Sequence, residues 1–163
     1  MDVQIKQATL EQKDVLRHLI ELYKYDFSEF DPVDVDDQGL FGYKYLELYW
    51  TEQERFPFLI KLDGNYAGFA LIRKITQREL NIKHYYSMAE FFVMKKYRKS
   101  GVGRHAAFYL FNSFPGKWEV AEMEENVPAQ NFWRKIISEY TKGDYKEVQV
   151  EDWEGPVQIL ITG

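Results

Sequence analysis

Cysteine is absent from the 163 residues, and with it go disulfides, thiolate zinc sites and a cysteine nucleophile. Histidine is scarce: His18, His84 and His105 are the three, and none pairs with another at metal-ligand spacing, so no metal is expected. No apolar run approaches the roughly 18 residues of a membrane span. The opening MDVQIKQATL lacks the basic and apolar regions of a signal peptide. A cytoplasmic protein without membrane contact is the expectation. Cationic excess is missing too: 21 Lys and Arg against 26 Asp and Glu leave a formal charge of −5, which argues against nucleic acid as the main partner. Neither an internal repeat nor a low-complexity linker interrupts the chain, so residues 1–163 read as one domain. What remains is 45% hydrophobic and 17% aromatic, the composition of a packed globular protein.

The charge is unevenly placed. Lys95 to Arg104, KKYRKSGVGR, holds five basic residues and no acid, which leaves −10 on the rest of the chain. Asp26 to Gly42, DFSEFDPVDVDDQGLFG, holds six acids and no Lys or Arg. A solvated loop accounts for the second run as readily as a binding surface does. The first run differs, because glycines and a helix start are built into it.

Periodicity supplies the layout. Val3 to Gln7 alternates and predicts a short strand. Thr9-Leu10-Glu11-Gln12 is a capping box, and Val15, Leu16, Leu19, Ile20 and Tyr23 recur at helical spacing behind it, predicting a helix to about Tyr25. A second, short helix is predicted over Tyr43 to Trp50, with Tyr45, Leu46, Tyr49 and Trp50 on one face. FPFLIKL, Asp63-Gly64-Asn65 and YAGFALIRKI read as a hairpin, and His84 to Met94 as a further strand. Gly101 to Phe114 predicts a helix with Val102, Ala106, Tyr109 and Leu110 inward, ending at Pro115-Gly116. KWEVAEM is a strand, and Pro128 opens a helix with a stripe of Ala129, Phe132, Trp133, Ile136, Ile137 and Tyr140. Tyr145 to Trp153 and Val157 to Thr162 close the chain as strands around Glu154-Gly155-Pro156. The order β-α-α-β-β-β-α-β-α-β-β predicts an α/β domain with a mixed sheet: antiparallel hairpins plus one parallel pair made by the crossover near residue 100.

Between strand and helix lies Arg98-Lys99-Ser100-Gly101-Val102-Gly103. Glycines there let successive N–H groups converge, and a helix N-terminus adds partial positive charge, which together suit a phosphate or pyrophosphate. Gly101-Val102-Gly103-Arg104-His105-Ala106 matches the dinucleotide fingerprint G-x-G-x-x-A, with Glu122 where a ribose-binding acid would stand. Residues 95–100 separate that motif from its strand, however, and the flanking antiparallel strands do not belong to a doubly wound sheet.

VMKKYRKSGVGRHAA instead resembles the acyl-coenzyme A signature of the GNAT N-acetyltransferase superfamily: an apolar strand end, an aromatic, then R/Q-x-x-G-x-G/A opening a helix, here Val93, Tyr97, Arg98, Gly101 and Gly103. Asn126, Ala129, Phe132 and Trp133 reproduce that family's N-x-x-A-x-x-aromatic-aromatic helix, and the element order matches over essentially the whole chain. The resemblance implies a GNAT-like domain with a splayed central parallel pair and acetyl-CoA as cosubstrate. The pyrophosphate is then expected on the amides of Lys99, Ser100, Gly101, Val102, Gly103 and Arg104, beside Arg98. The pantetheine is expected along the strand edge at Phe92, Val93 and Met94, with Asn126 either contacting it or shaping the start of its helix.

In this family an amine attacks the thioester directly, so the missing cysteine is no obstacle. The amine must lose a proton, the oxyanion needs N–H donors such as the backbone near Phe92 and Val93, and the departing thiolate needs an acid or solvent. Glu90, on the central strand, is the candidate base, although a run of apolar neighbours leaves its face undecided. The position often held by a catalytic tyrosine is Trp133, whose indole donates a hydrogen bond but cannot act as an acid. Tyr140 and Tyr145 are the candidate acids in its place. The acidic run, with Phe41, Tyr43 and Tyr45, favours a small cationic amine as acceptor, with a protein lysine or N-terminus second. An acyl-coenzyme A-binding module with little or no transfer is the alternative, and a homodimer is left open.

Overall fold

The computed structural model describes residues 1–76 and 84–163. Seven strands form a single sheet in the order β1-β2-β3-β4-β5-β7-β6. They are β1 (Val3–Gln7), β2 (Arg55–Leu62), β3 (Asn65–Thr76), β4 (His84–Val93), β5 (Gly116–Ala121), β6 (Lys146–Val150) and β7 (Trp153–Thr162). The helices are α1 (Lys13–Phe27), α2 (Leu48–Thr51), α3 (Val102–Ser113) and α4 (Val127–Thr141). Neighbouring strands are antiparallel except β4 and β5, the parallel pair that the crossover through α3 demands.

Local rules account for much of this. The Gln12 side chain accepts the Thr9 N–H at 3.0 Å, the returning half of the capping box, and a 3-10 turn over Leu10–Gln12 leads into α1. Asp63 and Gly64 both have positive φ, +50° and +84°, and join β2 to β3 as a two-residue hairpin with Leu62 opposite Asn65. β3 is central and covered on both faces, which is why Ala67 to Ile72 reads as an unbroken apolar run. On one face Ile60, Val102, Leu110, Phe111, Trp118 and Ile137 pack beneath α3 and α4. On the other, Leu16, Ile20, Tyr49, Phe69 and Leu71 pack beneath α1 and α2.

Three expectations are corrected. The second helix shrinks to Leu48–Thr51; residues 43–50 run as successive hydrogen-bonded turns that bury Leu46 and Tyr49 and leave Tyr45 exposed. Tyr109 of α3 is exposed, and Ala107 and Phe111 bury beside Val102, Ala106 and Leu110. The last hairpin turns at 151–152, so Gly155-Pro156 lies inside β7. Gly155 is required there by proximity: a Cβ would stand 2.2 Å from the Glu122 carbonyl oxygen, at a φ of +130°. The Gly-Pro pair resembles a turn signal but serves a close approach of β7 to the end of β5.

Candidate active site

β4 and β5 pair only at Tyr86 with Trp118 and Ser87 with Glu119. Beyond that the strands diverge, and the gap opens into a cleft of about 660 Å³ between α1 and α4. Its location is dictated by topology, since the ends of a parallel pair flanked by crossover helices are where an α/β sheet offers backbone groups and helix N-termini together.

A bulge decides which β4 side chains point where. The β3–β4 register slips between Leu71, opposite Glu90, and Ile72, opposite Met88, so Ala89 is the extra residue. Ala89 therefore joins Phe92 on the α1 face, while Met88, Phe91 and Val93 pack with α3 and α4. Glu90 follows the same phase: it faces α1 and accepts a hydrogen bond from the Tyr23 hydroxyl at 3.0 Å. Enclosure by this aromatic wall pushes its carboxyl up to about 7, against the opposing pull of the Tyr23 bond and the Lys24 charge. Tyr23 is held well above the usual phenol range by burial and then by Glu90 itself, so it stays a donor. Glu90 thus titrates where a general base is useful and is reachable from the cleft.

The glycine turn closes one end. Lys99 and Gly101 have φ of +63° and +91°, which swing the chain into the first turn of α3. Lys99, Gly101, Gly103 and Arg104 line the cleft. A Cβ on Gly103 would stand 3.0 Å from the Phe132 ring, so glycine lets α3 start against α4. Arg98 turns inward instead of outward: its Nε donates to the Val93 carbonyl at 2.8 Å and its Nη2 pairs with Asp26 of α1. The Ser100 hydroxyl donates to the Tyr97 carbonyl, and Val102 is buried in the core, so each can face the cleft only through its backbone. Met94 donates its N–H to the Ala67 carbonyl at 2.8 Å and is not a cleft residue, which leaves the open strand end at Phe92 and Val93. Arg104 pairs with Glu139 and stacks over Phe108. Asn126 lines the cleft and caps α4, its Oδ1 accepting the Ala129 N–H at 3.1 Å.

The two expected acids are not brought to the cleft. The Tyr140 hydroxyl donates to Asn112 at 2.7 Å, with its ring against Phe108 and Phe111 between α3 and α4. Tyr145 packs against the core on the same side. Helical spacing carries Tyr140 to the α3 side of α4, away from the diverging strands. Trp133 is 6% exposed and packs edge-on to Phe91, so the residue in the tyrosine position is a wall of the cleft.

A second carboxyl went unrecognised as a reactive group in the sequence. Glu122, just past β5, is 4% exposed and lines the cleft. Its Oε1 accepts from Gln158 at 2.9 Å, and its Oε2 has no partner among the described residues. Burial pushes it up to about 8, helped by Glu147 and opposed by the Gln158 bond and Arg134. The signal was available: Trp118, Val120 and Glu122 share the buried side of β5, so alternation puts a carboxyl where the core continues.

The acidic run is also sorted. Asp26 and Glu29 line the cleft with Phe27 and Phe30. Asp31 and Asp36 accept backbone N–H bonds within the loop, and Glu21 accepts those of Phe41 and Gly42 at its far end. Among the described residues no helix is long and apolar enough to cross a membrane.

The fold is shared with known proteins. No curated protein sequence matches the chain. Solved structures do, at identities that speak for fold alone. A GNAT-family acetyltransferase from Streptococcus agalactiae is 13% identical, with 99% of this chain and 96% of that one covered and a TM-score of 0.73. An aminoglycoside acetyltransferase from an uncultured soil metagenomic sample, in complex with sisomicin, is 17% identical over 91% and 92%, with a TM-score of 0.63. The Escherichia coli ribosomal-protein-S18-alanine N-acetyltransferase is 12% identical over 97% and 91%, with a TM-score of 0.60. The family described as Acetyltransferase (GNAT) matches residues 16–137, from within α1 through the glycine turn to the apolar stripe of α4. With most of its length in that match and the split sheet beneath it, this chain belongs to the GNAT acetyltransferase family.

Proposed function

We propose that the protein transfers an acetyl group from acetyl-coenzyme A directly to the nitrogen of a small cationic amine, with Glu90 as general base. The observation that carries this reading is Glu90 itself: a carboxyl raised to about 7, oriented by Tyr23, at the mouth of the β4–β5 split. The residues present suit the cosubstrate. The first N–H groups of α3 lack intrahelical partners, Lys99 lies beside them, and the glycine at 103 keeps the space clear. Phe92 and Val93 would offer the strand end to the amide-bearing arm, and Asn126 would flank it. When bound, the cosubstrate supplies an activated acetyl thioester. Glu90 receives a proton from the amine, directly or through water, and Tyr23 holds the carboxylate in line. Glu29, Phe27 and Phe30 favour a positively charged acceptor by potential and by ring faces. The fold neighbour in complex with sisomicin supports an acceptor bearing amino groups.

The test is a thiol-release assay with acetyl-coenzyme A across mono- and polyamines, aminoglycosides and N-terminal peptides, alongside thermal shifts with acetyl-coenzyme A and with NAD(H). Turnover on cationic small amines, with stabilisation by acetyl-coenzyme A alone, is the expected result. Binding without thiol release on any amine would make the protein a binding module. A finer expectation concerns Glu29, which is exposed at the rim. Glu29→Gln should raise KM for a cationic acceptor about two- to fivefold with little change in kcat, the scale of a solvent-exposed charge contact. Asp37→Asn, on the loop away from the cleft lining, should leave KM unchanged.

A further inference from the structure

Acyl transfer moves two protons, one from nitrogen and one to sulfur, and the site as described handles only the first. A second carboxyl, Glu122, lines the same cleft as the first. Glu90 lies three residues beyond Ser87 and Glu122 three residues beyond Glu119, the last pair before β4 and β5 separate. Glu90 points to the α1 face, toward Tyr23. Glu122 shares the opposite face with Trp118 and Val120, beneath α4.

Glu122 is also held as a reactive group must be. The Trp153 indole donates to its carbonyl oxygen at 2.8 Å, and its N–H donates to the Pro156 carbonyl at 3.2 Å. Gly155 lets β7 press against that same peptide. Gln158, itself fully buried, fixes Oε1 and leaves Oε2 without a partner among the described residues. An ionised carboxylate in that position would leave a buried charge without a counterion, whereas a protonated one keeps a donor to give. The other groups facing it are Glu147 of β6, which shares the Gln158 amide, and Arg134 of α4, which is paired with Glu147. Gln130 of α4 is occupied by the Met123 and Glu124 carbonyls.

We propose that Glu122 is the general acid of this site, holding a proton on Oε2 on the α4 side and passing it to the departing sulfur while Glu90 takes the proton of the attacking nitrogen on the α1 side. This rests on the acetyl-transfer reading. The C–N bond forms and the C–S bond breaks. One proton goes from nitrogen to Glu90 and one from Glu122 to sulfur, after which Glu90 returns its proton to solvent and Glu122 recovers one. Opposite faces suit the roles, because nucleophile and leaving group occupy different sides of the same carbon. Burial, which holds Glu122 at about 8, keeps the acid form populated at neutral pH and near the ordinary thiol value, where proton transfer to sulfur is well matched.

Glu122→Gln keeps the shape and an oxygen for Gln158. It should lower kcat on the order of 10²-fold while the Kd for acetyl-coenzyme A stays within about twofold of wild type. The wild-type alkaline limb, a fall in kcat as pH rises through about 8, should vanish in the variant. Two readouts need no turnover. Difference infrared spectroscopy should show a protonated carboxyl band that titrates near 8 in wild type and is missing from the variant. Stability should follow the same group: with its folded pKa raised, its contribution is fully present below the ordinary value of 4.5 and is lost as pH rises through about 8. Glu122→Gln should therefore melt higher than wild type at alkaline pH, with a smaller difference near pH 5. Should the glutamine variant not fold, Glu122→Asp serves: a reduced kcat with the alkaline limb retained supports the role. An unchanged kcat, a persistent alkaline limb in the glutamine variant, or a weakened Kd with kcat intact would each overturn it. So would a loss confined to diamine acceptors, which would make Glu122 a recognition group. A wild type that binds acetyl-coenzyme A but acetylates no amine would fail the transfer reading itself, and the acid role would fall with it while the infrared titration stood.

Discussion

Glu90→Gln is expected to lower kcat by about 10²- to 10⁴-fold, the range that a positioned general base contributes, with binding of acetyl-coenzyme A unchanged. The amide keeps the volume and can still accept the Tyr23 hydrogen bond, so packing on the α1 face should survive. The pH profile separates a base from a merely structural partner. With its folded pKa raised to about 7, Glu90 is protonated and inert below that value, so wild-type kcat at saturating amine should climb as pH rises through it. That acid limb should be missing from Glu90→Gln. Tyr23→Phe should shift the limb upward, because the lost hydrogen bond favoured the ionised form. The other groups near Glu90 are Lys24 of α1 and the hydroxyls of Tyr43 and Tyr49 around α2. Burial holds both tyrosines above the usual phenol range, so they stay neutral over this window. Measured kcat within about threefold of wild type across pH 6 to 9 would reduce Glu90 to a hydrogen-bond acceptor for Tyr23, since even the weak end of base catalysis exceeds that.

The largest binding effect is expected from Gly103→Trp. A Cβ there already meets the Phe132 ring at 3.0 Å, so the indole must displace α4 or lie across the first turn of α3, the place assigned to the pyrophosphate. Acetyl-coenzyme A at about 100 times its Kd should stabilise wild type by about 2.7 kcal/mol, or roughly 5–10 °C for a chain of this size. The variant should show no shift at the same concentration while retaining a cooperative melt of its own. A normal shift in Gly103→Trp would move the phosphate site away from the glycine turn.

The parts of the fold that follow from near neighbours were legible in the sequence. Thr9 and Gln12, Asp63 and Gly64, and Gly101 ahead of α3 each act within a few residues, and each stands where local rules put it. Residues whose role depends on distant strands were harder to read. The face of Glu90 hinges on the bulge at Ala89, which exists only in the pairing with β3. The restraint on Glu122 comes from Trp153, Gly155 and Gln158, more than thirty positions away, so its place at a strand end does not by itself reveal it. Gly155-Pro156 carries the composition of a turn, whereas the demand for glycine arises from the Glu122 carbonyl pressed against it. Tyr140 has the chemistry of an acid and sits on the expected helix, but the helix rotates it toward Asn112. The two charge runs were legible as separate features, but the pairing of Arg98 with Asp26, one from each, was not, because it joins segments 72 positions apart.

The two-pair seam between β4 and β5 has a consequence for solubility. A strand without a neighbour is a hazard, since its unpaired amides invite the sheets of other molecules to continue the ladder. This protein has such a stretch, residues 88–93 on the side facing β5, but keeps it indoors, roofed by α1 on one face and α4 on the other. Stickiness that would promote aggregation at the rim of the sheet becomes, in the middle of it, hospitality toward a slender guest.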